Sequence, residues 1–213
     1  MSELYRQLLT KEEADKILDQ LHEELDYVPR DLMVFRIFNS VLNLPRDKQF
    51  YGDVDENGNV PMYRYGSDWY PPVKEWTPTL RQIRDRIKET TGQYCNHVVV
   101  NRYTSGDDHI GYHHDKTPDF VEGTSVCTVS LGDSRVFQLK HIGTGEVTSY
   151  QTPHGSLQIL DWNTNKHYKH RIAKTSKPVG ERISLTYRSI KSVRTKQENE
   201  EAYKRIIKYY NQK

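Results

Sequence analysis

The chain has 213 residues, 35% of them hydrophobic, and a formal net charge of only +2. That length suits one domain with a sizeable core, and the balanced charge excludes a polycationic tail as the means of holding an anionic partner. No apolar run approaches the roughly 18 to 20 residues that a membrane helix needs, and MSELYRQLLTKEE has no basic segment leading into an apolar one, so neither a span nor a secretory signal is expected.

In chain order, the first element is a helix. Thr10 opens T-K-E-E, a capping box with Glu13, and Ile17, Leu18, Leu21 and Leu25 follow at helical spacing. From residue 34 to 75, Gly, Pro, Asn and Asp are scattered among aromatics, which predicts loops with short strands and a turn at DVDENGN. A second helix is expected in WTPTLRQIRDRIKETTG, with Thr77 as cap, Pro78 at the first helical position, an inward stripe of Leu80, Ile83 and Ile87, and Gly92 as the stop. Cys95 and Cys127 lie in apolar runs and read as small core residues in a reducing compartment, nucleus or cytoplasm.

From residue 96 the pattern becomes β-rich. NHVVVNRY, TSVCTVSL, RVFQLKH, EVTSYQ, SLQILDW, YKHRIA and RISLTYR are short runs separated by turns, which predicts a sandwich or jelly roll. A charged helix is expected from about 193 to the end. The expected organisation is a single domain, mainly β with flanking helices: an N-terminal helix in 1–33, a lid in 34–75, a core in 96–190 and a terminal helix in 191–213. A monomer is expected, with no membrane partner.

The chemistry-bearing stretch is GYHHDK, residues 111 to 116. Alternate residues on a strand share a face, so His113 and Asp115 would point together and His114 away. His109 and His113 have helical zinc-site spacing, but Gly106, Gly111 and the flanking strand composition argue against a helix there. Two His and one carboxylate on one face of an octahedral ion leave three positions open, the arrangement of non-haem Fe(II) oxygenases. The distal ligand would come from HYKHRI, which offers His167 beside the N-T-N-K turn and His170 deeper in the strand; the deeper one is favoured. In RISLTYR, alternation puts Arg182 and Arg188 on one face with Ser184 and Thr186, and sends Ile183, Leu185 and Tyr187 to the core. Two inward guanidiniums beside a metal call for a dianion, and a dicarboxylate suits paired Arg hydrogen bonds.

The ordered set Asn101-Arg102-Tyr103, His113-x-Asp115, His170 and Arg182 through Arg188 resembles the AlkB family of Fe(II)/2-oxoglutarate dioxygenases. The likeness extends upstream to P-R-x-x-x-x-Y-G-D at 45–53 and W-T-P-T-L-R-Q-I-R-D at 76–85, so it spans about residues 34 to 190. It implies a double-stranded β-helix with Fe(II) held by His113, Asp115 and His170. It implies 2-oxoglutarate with its distal carboxylate on Arg182 and Tyr103, and Asn101 and Arg188 at the other end. It implies oxidative demethylation of alkylated nucleic acid, DNA ahead of RNA, with O2 consumed and formaldehyde, succinate and CO2 released. The alternative is hydroxylation of a protein or small molecule on the same fold. Tyr63 and Tyr65 match lid positions that meet the flipped base, and Phe38 matches a finger that fills the gap left in the duplex. Arg46, with Arg36, Lys48 and Arg64, is a candidate for phosphate contacts. One departure stands out: repair members carry an acidic residue just after the metal Asp, whereas here Lys116 and Thr117 follow Asp115, with Asp119 the next carboxylate.

Overall fold

The computed structural model describes residues 5–28, 30, 34–37, 40–64 and 71–210. In chain order the elements are β1 (Tyr5–Gln7), α1 (Lys11–Glu24), β2 (Val34–Ile37), β3 (Ser40–Asn43), β4 (Asp47–Gly52), β5 (Val60–Pro61), β6 (Lys74–Glu75) and α2 (Pro78–Thr91). There follow β7 (His97–Tyr103), β8 (Ile110–His113), β9 (Val126–Gly132), β10 (Val136–His141), β11 (Val147–Gln151), β12 (Ser156–Leu160), α3 (Trp162–His167), β13 (Tyr168–Ile172), β14 (Arg182–Arg188), β15 (Val193–Arg194) and α4 (Lys196–Tyr210). All seven β-rich runs form strands.

The helix signals act as local chemistry requires. Thr10 accepts from the Glu13 amide and Glu13 returns a bond to the Thr10 amide, a closed capping box. Thr77 caps α2, Pro78 opens it, and Gly92 ends it in the left-handed conformation at φ 73°, where a side chain would be strained. The inward stripes of α1 and α2 pack on one face of a seven-stranded sheet ordered β1-β12-β9-β14-β7-β4-β6. Ile183, Leu185 and Tyr187 of β14 join that core, and the Tyr187 hydroxyl donates to the Leu80 carbonyl at 2.9 Å. Cys95 and Cys127 are buried there as free thiols.

The opposite face of the large sheet meets a four-stranded sheet ordered β11-β10-β13-β8. A second core that includes Phe50, Val99, Val126, Phe137, Leu139 and Ile172 joins the two sheets, and Val99, Val126, Phe137 and Ile172 also line the space left between them. That space is a polar cavity, walled also by Arg182, Ser184, Thr186 and Arg188 from the large sheet and His170 from the small one. Facing sheets of this kind, antiparallel except where β6 joins β4 at one edge, form a jelly roll.

Three local expectations are corrected. The N-T-N-K turn belongs to α3, because Asp161 caps it through bonds from the Thr164 amide and hydroxyl, both 2.8 Å. The chain at 193–194 is extended and pairs with β5, so the terminal helix starts at Lys196. The N-terminal segment is more than a helix: Tyr5–Gln7 adds an edge strand to the large sheet by pairing with Gln158, Leu157 and Ser156.

His97 is fully buried between the rings of Phe50 and Tyr63, and neither ring nitrogen has a hydrogen-bond partner among the described residues. Burial, reinforced by Arg188, pushes its imidazole down to about 3 from 6.5. The unfolded chain therefore binds one more proton than the folded one between those values, so this group's contribution is intact above pH 6.5 and is lost as the pH falls. We expect His97→Phe to flatten the pH dependence of unfolding free energy over that window by about 1.4 kcal/mol per pH unit. Denaturant titrations from pH 7 to 4 measure the slope, and an unaltered slope would refute the assignment.

Candidate active site

β8 and β13 lie side by side in antiparallel register, with His113 directly opposite His170. Their ring centroids are 4.2 Å apart, and the Phe137 ring lies 5.6 Å from His170 on its other side. His113 Nδ1 donates to the Gly111 carbonyl at 2.8 Å, which fixes the tautomer and leaves the Nε2 lone pair free. That Nε2 lies 3.9 Å from Asp115 Oδ1. One ligand atom from each of His113, Asp115 and His170 falls within 4.8 Å of the other two.

Strand alternation is not what brings Asp115 in. β8 ends at His113, and Asp115 sits in the turn beyond it. Its backbone is clamped by Asn165, whose Oδ1 accepts from the Asp115 amide and whose Nδ2 donates to the Asp115 carbonyl, both at 2.9 Å. Asn165 is buried on α3, the short helix that leads directly into β13 and His170. One helical turn thus places the carboxylate against the strand that carries the distal His. Nothing in H-x-D announces this residue; the only signal is the Asp161 cap, which makes a helix of the stretch containing it. Loss of this support is expected to cost metal affinity about ten- to a hundredfold, as for other groups that orient ligands. Calorimetric Mn(II) titration of Asn165→Ala tests this, and wild-type affinity would count against it.

Arg188 completes the support. Its Nε and Nη2 donate to Asp115 Oδ2 at 3.2 and 2.8 Å, leaving Oδ1 for another partner. Burial alone would raise the Asp115 carboxyl, but Arg188 and the two imidazoles outweigh it and hold the group well below the usual carboxylate range. Burial, with His170 next, pushes His113 down to about 3, and burial likewise lowers His170. Two neutral imidazoles and one carboxylate are the protonation states a divalent ion needs, so no proton must leave for it to bind at neutral pH.

The far end of the cavity is set by Arg182, which is 2% exposed. Its Nη2 donates to Ser130 Oγ at 2.9 Å, and its guanidinium lies 5.3 Å from the Tyr103 ring centre. Nε and Nη1 have no partner among the described residues, and neither have two nearby buried groups, the Gln158 Nε2 and the Tyr5 hydroxyl. Tyr5 stands directly opposite Gln158 in the sheet. A carboxylate offers about four lone-pair sites and suits such a cluster of donors, so the cavity fits a molecule that chelates at one end and carries a carboxylate at the other.

Other residues fall differently from expectation. Asn101 lines the cavity and accepts from Arg46 Nε at 3.0 Å. Arg46 also donates to the His109 carbonyl at 2.8 Å and is 2% exposed, so it braces the site from within instead of meeting phosphates at the surface. Lys48 is buried in the cavity wall. Tyr63 is buried against His97, Phe120 and the Arg188 guanidinium, not on the cavity lining. Asp119 has both carboxylate oxygens occupied, by the Arg64 amide at 2.9 Å and Ser192 Oγ at 2.8 Å, and so does not replace the missing acidic residue. His114 is exposed and His167 ends α3; neither joins the cluster. Phe38, Tyr65 and the Arg36 side chain lie outside the described residues.

A jelly roll with a His-x-Asp…His cluster between its sheets, beside a cationic pocket, has the architecture of a non-haem iron oxygenase. The chain belongs to the 2OG-Fe(II) oxygenase superfamily, whose sequence profile matches residues 2–188, and it is an AlkB-like Fe(II)/2-oxoglutarate-dependent dioxygenase. It is 35% identical to the DNA oxidative demethylase ALKBH2 of Mus musculus over 194 residues, 87% of this chain and 79% of that protein. It is 26% identical to the alpha-ketoglutarate-dependent dioxygenase alkB homolog 3 of Homo sapiens, over 88% of this chain and 65% of that one. The solved structure of OsALKBH1 shares the fold, with a TM-score of 0.60 at 14% identity over 89% of this chain and 98% of the other. Among the described residues no helix is long and apolar enough to cross a membrane.

Proposed function

We propose that the enzyme oxidatively removes N-methyl groups from bases in nucleic acid, with DNA as the polymer. The observation that carries this reading is one cavity that joins the His113, Asp115 and His170 cluster to the guanidinium edge of Arg182, which has no partner among the described residues, in a chain similar to proteins named as DNA oxidative demethylases.

His113 Nε2, Asp115 Oδ1 and His170 would hold Fe(II). Arg182 and Tyr103 would take the distal carboxylate of 2-oxoglutarate, and Asn101 lines the same cavity. Arg188 neutralises the second oxygen of Asp115 and keeps the carboxylate from rotating. When bound, iron and 2-oxoglutarate would supply the oxygen activation that hydroxylates the N–CH3 carbon, with O2 and 2-oxoglutarate consumed and succinate and CO2 released. The resulting N–CH2OH group breaks its N–C bond, releasing formaldehyde and restoring the N–H of the base. The protein's share is to align the C–H bond and keep water from the cavity.

The departure at Lys116 and Thr117 bears on which base is accepted. With Asp119 engaged elsewhere, the turn after Asp115 presents no carboxylate to favour a cationic lesion over a neutral one. Incubation with Fe(II), ascorbate, 2-oxoglutarate and 1-methyladenine oligonucleotides of DNA and of RNA tests the reading. Loss of the methyl group with matching formaldehyde supports it, and faster loss from DNA supports the choice of polymer. Succinate formation without demethylation of either would sink it.

A further inference from the structure

The strands that carry His113 and His170 have a second face. On β13 the His170 ring points into the cavity, so Lys169 and Arg171 on either side project from the opposite face of the sheet. On β10, Leu139 stands opposite His170 and belongs to the interior core, which puts Gln138 and Lys140 on the outward face. Tyr112, one residue before His113, lies on it too: its ring centre is 4.4 Å from the Arg171 guanidinium and 5.6 Å from Lys140 Nζ. Gln138 Oε1 accepts from Arg171 Nε at 2.6 Å and from the Tyr112 hydroxyl at 3.3 Å, which fixes both groups.

Two features set this face apart. The four strands read IGYH, VFQLKH, VTSYQ and YKHRI, with no Asp or Glu in any of them, although the chain as a whole carries 29 acidic residues against 31 basic ones. Lys140 also stands directly opposite Lys169 in the register, and among the described residues neither they nor Arg171 form an ion pair with a carboxylate. Like charges placed opposite each other on a sheet are destabilising, and an ordinary solvated face would interleave acidic residues to avoid that.

We infer that the outward face of the four-stranded sheet, through Lys140, Lys169 and Arg171, is a docking surface for the sugar-phosphate backbone of the nucleic acid whose base enters the cavity. This rests on the proposed function and adds where the polymer lies: across β10 and β13, behind the two metal-binding histidines. Charge complementarity favours a polyphosphate over an acidic protein surface. A row of cations with no carboxylate partners among the described residues suits closely spaced backbone charges and gives binding that weakens steeply with salt.

The test is fluorescence anisotropy with a methylated oligonucleotide on protein loaded with Fe(II) and 2-oxoglutarate in the absence of O2, at several salt concentrations, for wild type and Lys140→Gln/Lys169→Gln. We expect the variant to bind about tenfold more weakly at moderate salt. Its slope of log K against log salt should be shallower by about 0.7 per lost contact on a single strand or 0.9 on a duplex. Its melting temperature should equal or exceed that of wild type, because the opposed charges are gone; a merely structural role for the lysines would lower it instead. Equal affinity and slope in the two proteins would overturn the docking surface while leaving the nucleic-acid reading intact. A wild type that binds no oligonucleotide would overturn that reading itself. Competition by poly-glutamate as strong as by unlabelled oligonucleotide would also overturn the inference, since the face would then be a general anion binder.

Discussion

His170→Ala is expected to abolish succinate formation, by roughly three orders of magnitude or more, because oxygen activation would reside on the metal that this side chain is proposed to hold. His167→Ala and His114→Ala are expected to keep turnover within about twofold of wild type, as expected for substitutions away from site features. The geometry explains the contrast. His170 faces His113 across two paired strands with ring centres 4.2 Å apart, whereas His167 ends a helix and its backbone carbonyl is what the Ile142 amide bonds to. Mn(II) titration separates loss of metal from loss of fold, since His170→Ala should fail to bind the ion while melting cooperatively. A His167→Ala protein without activity and without metal would mean that the wrong histidine has been assigned.

The first two helices and the strands from His97 onward were legible in the sequence because each rests on short-range rules. A capping box, a Pro-initiated helix and strict alternation in RISLTYR act within a few residues, and the structure follows them at Thr10, Pro78 and Arg182 through Arg188. The parts of the site that were misread or missed depend on contacts between distant segments. Asp115 reaches the cluster through Asn165, fifty residues later, and no local pattern links the two. Arg46 and Lys48 looked like surface cations because basic residues usually are; both are buried, on a strand whose neighbour β7 supplies Asn101. The edge strand at Tyr5–Gln7 is too short for alternation to register, yet it brings the Tyr5 hydroxyl to the end of the cavity where Arg182 lies.

Arg182 therefore gives a prediction with two opposite signs. The cation is buried with two nitrogens lacking partners among the described residues, and burial pushes its guanidinium below its ordinary range, so without ligand it is a source of instability held in place by folding. Arg182→Met keeps much of the volume and removes the charge, and replacing buried ionic groups by apolar ones of similar size is often stabilising by about 1–4 kcal/mol. The ligand-free variant should melt at a higher temperature than ligand-free wild type. Its affinity for 2-oxoglutarate should fall by about 2–5 kcal/mol, thirtyfold or more, the usual cost of truncating one partner of a buried charge pair. The rise in melting temperature that 2-oxoglutarate gives the Mn(II)-loaded wild type should then nearly vanish. Oxalate, which chelates a metal but has no distal arm, should bind the two proteins equally and so locate the loss at the Arg182 end. A variant that melts lower without ligand and still responds fully to 2-oxoglutarate would show that this guanidinium serves the sheet and not the co-substrate.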